Sequence, residues 1–223
     1  MKTDISTVII RHLGKQDYIP CWQAMQTFTN QRQEDTPDEI WLLEHPPVFT
    51  QGQNGKPEHL LNPGDIPVIP IDRGGQITYH GPGQLVAYVL VDLKRKKLNI
   101  RQFVTMLEKT IIDLLAGYQI KAASQCKAPG VYVENKKICS IGLRVRRGCS
   151  YHGLALNVKM DLEPFTRINP CGFKELEMTQ ISALSPVKDM KEVETKLIHS
   201  FMQNLGYNDY IFHPIMPLQE TYE

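Results

Sequence analysis

The sequence predicts an α/β (α+β) fold on three observations. Short apolar stretches rich in β-branched and aromatic residues alternate with amphipathic stretches of helical spacing. Between Gly130 and Val158 the pattern becomes strand, turn, strand, turn, strand. The 223 residues suffice for one substantial core, and residues 1–223 read as one domain without internal repeat, low-complexity tract or linker.

Taken in order, Ser6 to His12 reads as a first strand and Asp17 to Gln31 as a helix carrying Trp22, Met25 and Phe28 at three-residue spacing. Ile40 to Glu44 is a short strand. It runs into His45-Pro46-Pro47, whose prolines remove donors and force an extended turn before Val48-Phe49-Thr50. Gln51 to Asp65, rich in glycine and asparagine, is a surface loop, and Pro67–Ile71 and Leu85–Leu93 are core strands. Asn99 suits a helix N-cap. Ile100, Phe103, Val104, Leu107, Ile111, Leu114 and Leu115 then keep helical spacing until Gly117. Strands follow at Val131–Glu134, Lys137–Arg146 and Tyr151–Val158, and a last helix runs from about Asp189 to Leu205, closed by Gly206.

Hydrophobic residues at 42%, charged residues at 22% and a net charge of +1 give no global pull toward nucleic acid or membrane. The apolar run near the N-terminus stops at Ile10, too short for a secretory or spanning segment, so a cytoplasmic location is expected. Five cysteines without a CxxC pair argue against a disulfide framework and a zinc ribbon.

The stretch between the two core strands, Asp72 to Tyr88, is the most distinctive. Four glycines and a proline lie between Arg73 and Gln84, interleaved with Gln76, Thr78, Tyr79 and His80, a composition that lets backbone approach a ligand closely. Within Lys137–Arg146, Cys139, Ile141, Leu143 and Val145 share one face, and Lys137 has their parity. That parity aims its ammonium inward; the competing reading leaves Lys137 outside the strand, in solvent. Lys94-Arg95-Lys96-Lys97 is either a solvated loop or a docking patch.

Nucleophilic catalysis by cysteine requires an accessible thiolate near a positive group or base. Cys21 and Cys139 fall on core faces, and Cys126 sits in a polar loop without an obvious partner. Cys149 follows Arg146-Arg147-Gly148, which favours a lowered pKa, whereas the Asn169-Pro170-Cys171-Gly172 turn offers free amides to an oxyanion. Composition alone leaves Cys149 and Cys171 both open.

The ordered blocks resolve the choice by resemblance. Arg73-Gly-Gly-Gln-Ile-Thr-Tyr-His80-Gly-Pro-Gly-Gln84-Leu-Val-Ala-Tyr88 resembles the signature of the bacterial octanoyltransferases. Leu43–Thr50, Gly130–Val133, Lys137–Gly142, His152–Val158 and Ile168–Gly172 resemble further blocks of that family in the right order. The resemblance implies the fold of the biotin and lipoate protein ligases: a mixed central sheet plus a smaller second sheet with flanking helices, and a tunnel for an acyl chain. It places the acyl-thioester nucleophile at Cys171 and, at Lys137, the lysine that lowers the pKa of that thiol. Substrate-contacting positions carry over to Arg73, Gly74, Gly75, Gln76, Ile77, Thr78, Tyr79 and His80, to Ser140, Ile141 and Gly142, and to Gly153, Leu154 and Ala155.

The implied reaction moves an octanoyl group from octanoyl-acyl carrier protein to a lysine of a lipoyl domain, through a cysteine thioester. The implied acceptors are lipoyl domains of 2-oxoacid dehydrogenase E2 subunits and the glycine cleavage H protein. No cofactor, ATP or metal is implied, nor a nucleic-acid or membrane partner, and the chain is expected to be a monomer. His80 orients a substrate or is a satisfied structural imidazole; Val86, Leu143 and Leu154 line the tunnel or simply fill the core. The basic run, with Arg144, Arg146 and Arg147, is a candidate surface for an acidic carrier protein. Two rivals share parts of this reading: an ATP-dependent lipoate or biotin protein ligase, and a non-catalytic module that binds lipoyl domains or acyl carriers.

Overall fold

The computed structural model describes residues 6–126, 128–170, 176–187 and 189–214. In chain order the elements are β1 (Thr7–Lys15), α1 (Tyr18–Gln31), β2 (Asp38–Glu44), β3 (Val48–Gln51), β4 (Val68–Pro70), β5 (Ile77–His80), β6 (Gln84–Leu90), α2 (Ile100–Ala116), β7 (Ala123–Gln125), β8 (Ala128–Val133), β9 (Lys136–Arg146), β10 (Cys149–Asn157), α3 (Met190–Leu205) and β11 (Asp209–Phe212). Eight strands form a mixed sheet in the order β11-β1-β2-β6-β10-β9-β8-β7, and a second sheet holds β4-β3-β5. β1 runs parallel to β2 and β11; the pairs from β2 through β7 are antiparallel.

The centre of the large sheet is buried on both faces, so the LVAYVL stretch of β6 and the IWLL stretch of β2 are apolar at successive positions rather than alternating. Ile40 and Leu42 face one way with Leu85, Ala87 and Val89, under Phe103, Leu107 and Ile111 of α2 and Val193, Leu197 and Phe201 of α3. Trp41 and Leu43 face the other way with Val86 and Tyr88, under Cys21, Ala24 and Met25 of α1. Burying each of these large side chains stabilises the fold by on the order of 2 kcal/mol.

Local signals set the boundaries. The Asn99 side chain accepts from Gln102 N and the Gln102 side chain accepts from Asn99 N, both at 2.9 Å, which caps two otherwise orphaned donors at the start of α2. Gly206 ends α3 in the left-handed conformation, φ 69°. Glu134-Asn135 and Arg147-Gly148 take positive φ as two-residue hairpin turns on either side of β9.

Three expectations change. The Gly-rich stretch is not one loop: Ile77–His80 forms β5, pairing with β3 in the small sheet. The short strands β7 and β11 were not expected from the sequence. The basic run is largely committed to the fold: Arg95 Nη2 bonds buried Asp38 at 2.6 Å, and Lys96 donates to Leu205 O while lying 3.7 Å over the Tyr207 ring. Only Lys94 and Lys97 of the four are exposed. No described helix is long and apolar enough to cross a membrane.

Candidate active site

A cavity of about 440 Å³ lies where the small sheet meets the outer edge of β9. Its position follows from an interruption in strand pairing. β8 accompanies β9 only as far as the Gly130–Ser140 pair, and the Gly74 amide then donates to Leu143 O at 2.9 Å. Between those two partners the edge of β9 is open, and the cavity reaches both faces of the sheet. Val86, Tyr88 and Ala155 line it from one face; Ile141, Leu154 and, on α2, Val104 line it from the other.

The expected substrate-contacting positions converge here, though far apart in sequence. The segments 73–80, 140–142 and 153–155 all line the cavity except at Tyr79. Thr78 and His80 face the cavity, and Ile77 reaches it from the start of β5, whereas Tyr79 packs wholly in the small-sheet core, its ring 5.4 Å from those of Phe49 and Phe165. Val86, Leu143 and Leu154 line the cavity as well. Gly153 has no room for a side chain, since a Cβ there would come within 2.0 Å of Ala87 O.

Lys137 is 1% exposed and lines the cavity, its Nζ 5.3 Å from the centre of the Tyr132 ring. The inward direction holds, but simple parity is not its cause. Val131 pairs with Cys139 and Tyr132 with Lys137, so Ile138 is an extra residue, a β-bulge. The bulge sends Ile138 and Cys139 together into the α2-side core and turns Lys137 to the opposite face, beside Gly130 and Ser140. Lys136, by contrast, is exposed and paired with Glu177. The backbone of Lys137 is pinned from outside the hairpin: its N–H donates to Glu177 O at 2.8 Å, and its carbonyl accepts from Thr179 N at 2.9 Å.

Among the histidines the hydrogen bonds separate two kinds. His80 Nδ1 donates to Gln84 Oε1 at 2.8 Å and Nε2 accepts from Thr50 Oγ1 at 3.3 Å; Gln84 is oriented by donating to Tyr79 O and Asn157 Oδ1. His45 donates to Gln16 O and accepts from Tyr88 Oη, both at 2.6 Å. Burial pushes His80 down to about 3 and His45 to about 4, so both rings are neutral and fully partnered. His80 thus presents only its ring to the cavity.

His152, missed as a site residue in the sequence, differs. It lines the cavity at φ 59°, a left-handed conformation in the middle of β10, and its Nε2 lies 2.9 Å from Asp72 Oδ1. Asp72 also accepts from Trp22 Nε1 at 2.8 Å, Gln26 Nε2 at 3.1 Å and the Tyr151 hydroxyl. Partial burial raises the Asp72 carboxyl, but the bonds from His152, Tyr151 and Gln26 outweigh it and hold the group well below the usual carboxylate range. Arg73, 8% exposed, donates to Thr50 O and Oγ1 and to Gly74 O, tying the Gly-rich turn to the small sheet.

The cysteines sort by burial. Burial pushes the Cys21 and Cys139 thiols up to about 12 and also raises Cys149, overturning the expectation that the neighbouring arginines lower it. Cys126 is exposed. Cys171 and Gly172 lie outside the described residues. Among the described residues no group of three or more His, Cys, Asp or Glu side chains is placed to hold a metal ion.

The large mixed sheet, the small second sheet and the flanking helices are shared with lipoate and biotin protein ligases. The chain superimposes on lipoate-protein ligase A bound with ATP with a TM-score of 0.76 and 16% identity, covering 93% of this chain and 89% of that one. For the biotin protein ligase of Aquifex aeolicus in complex with biotin and ATP the TM-score is 0.57 at 15% identity, over 88% and 70%. The family described as the lipoyl protein ligase A/B catalytic domain matches residues 17–202, and the chain belongs to that family, on its octanoyltransferase branch. It is 56% identical to the octanoyltransferase of Shewanella sediminis, over 98% of this chain and 99% of that one, and 59% identical to that of Vibrio vulnificus strain CMCP6, over 96% and 98%.

Proposed function

We propose that this acyltransferase carries octanoyl groups into protein lipoylation by a cysteine thioester at Cys171, with Lys137 setting the charge of that sulfur. The observation that carries the reading is a lysine 1% exposed in the wall of a largely apolar cavity. An ammonium is rarely buried without a task. The strand pairing of Glu177 and Thr179 with Lys137 supports the assignment, because the chain that follows Cys171 in sequence comes back to this lysine.

In the first half-reaction the Cys171 thiolate attacks the thioester carbonyl of octanoyl-acyl carrier protein. A new C–S bond forms, the old one breaks, and the departing phosphopantetheine sulfur takes a proton from Lys137. One thioester replaces another at little net cost, so the step calls for no nucleotide or metal. In the second, the amine of a lipoyl-domain lysine attacks the enzyme thioester. A C–N bond forms, the Cys171 C–S bond breaks, and the proton lost by the amine restores the Lys137 ammonium. The greater stability of the amide drives the cycle, and ping-pong kinetics follow.

The test is direct. Mixed with octanoyl-acyl carrier protein, the protein is expected to gain the mass of one octanoyl group in place of one hydrogen, and Cys171→Ala to gain none. No adduct on the unaltered protein, or pyrophosphate exchange that depends on lipoate, overturns the proposal.

A further inference from the structure

The Asp72–His152 pair has a chemical polarity that the reaction described above does not use. Asp72 is a carboxylate and accepts only, so the 2.9 Å contact makes His152 Nε2 the donor. Burial holds the His152 ring toward its neutral form despite Asp72, with Arg73 and Arg144 also opposing a positive charge there. In the neutral ring Nδ1 is then a bare lone pair. That nitrogen is buried and has no hydrogen-bond partner among the described residues, although the ring is 1% exposed and lines the cavity. His80, in the same wall, and His45, packed against it, use both of their nitrogens within the protein. A buried acceptor without a donor is costly, and in a cavity wall a substrate N–H can supply the missing partner.

We infer that His152 Nδ1 accepts the proton of the attacking lysine amine in the second half-reaction, while Asp72 fixes the ring in the tautomer that leaves this nitrogen bare. The inference rests on the function proposed above. Of the N–H groups that two such substrates bring, an amide of the pantetheine arm keeps its proton throughout, and only the amine loses one. A carboxylate behind the imidazole is what a proton acceptor needs, since it stabilises the imidazolium that forms. As the amine nitrogen bonds to the thioester carbon, its proton moves to Nδ1 and the Cys171 sulfur leaves. The imidazolium then gives the proton to the Lys137 amine, which lines the same cavity and had lost one in the first half-reaction. His152 is thereby a catalytic residue and Asp72 a positioning residue.

Separate single-turnover measurements of Cys171 acylation and of transfer to a lipoyl domain test this. His152→Asn suits the backbone, because asparagine tolerates positive φ. It is expected to acylate within about threefold of the unaltered protein but to transfer at least about 100-fold more slowly, the scale of a lost general base. Asp72→Asn, which removes the negative charge that stabilises the imidazolium, is expected to show the same split and to alter the pH profile of transfer only. Transfer unimpaired in both variants overturns the inference, as does an equal loss in acylation, which assigns Nδ1 to the carrier arm or to folding. Absence of acyl-enzyme on the unaltered protein instead overturns the proposed function itself.

Discussion

The side chain of Lys137 occupies the space that a side chain on Gly130 would need: a Cβ on that glycine would lie 2.5 Å from Lys137 Cε. Gly130 also holds φ at 136°, a conformation other residues rarely adopt. Gly130→Ala is expected to cost roughly 1–3 kcal/mol in backbone strain and to displace the ammonium. Urea unfolding reads the first effect. Alkylation of Cys171 by iodoacetamide as a function of pH reads the second, and a profile matching the unaltered protein would count against the displacement.

Lys137→Ala isolates the charge. If the ammonium holds Cys171 anionic, its removal shifts the alkylation profile upward by about 1–3 pH units, the scale of an opposite charge at close range. Coincident profiles would end the lysine's role in tuning the thiol.

Acid is expected to loosen the fold through His45 and His80, with folded values of about 4 and about 3. Both are depressed below the ordinary histidine value near 6.5, so the unfolded chain binds more protons once pH falls below that value. Their stabilisation is intact above about 6.5 and is lost progressively down to the folded values, by on the order of 2 kcal/mol for each ring at about pH 5. Urea midpoints at pH 7 and pH 5 measure the loss. His80→Gln is expected to reduce the difference, and an unchanged difference would show that this ring is not responsible.

Arg95→Ala is expected to act on folding rather than on partner encounter. Arg95 and Arg32 both bond Asp38 Oδ1 at 2.6 Å, and Tyr207 donates to Asp38 Oδ2 at 2.8 Å, so one of several partners of a buried carboxylate is lost, costing about 2 kcal/mol. With octanoyl-acyl carrier protein as donor, kcat/KM is expected to change with salt in this variant as it does in the unaltered protein. Loss of that salt dependence would return Arg95 to the docking surface.

How much was readable in advance depended on the range of the interactions involved. The Asn99 cap, the Gly206 stop and the two hairpins flanking β9 are written in a few adjacent residues, and the sequence shows them. β5 was hidden because Thr78-Tyr79-His80 sits among glycines and its partner, β3, is supplied from far along the chain. Strand parity predicts the inward turn of Lys137 for a reason that fails: period-two counting cannot see the bulge at Ile138, which only the register against β8 creates. Arg95 and Lys96 looked like solvated charge because Asp38 and Tyr207, which hold them, are remote in sequence. For the same reason nothing near His152 in sequence marks it as a site residue, since Asp72 lies 80 residues away.

The open stretch along β9 has an architectural consequence. On the proposed function, a fatty chain in this cavity threads past the rim of the sheet, its reacting head on the side of Lys137 and His152 and its methyl tail on the side of Ile141, Leu154 and the flank of α2 at Val104. Bulk added at Val104 is then expected to shorten the acyl group accepted while leaving both half-reactions intact, which rates with donors of different chain length would measure.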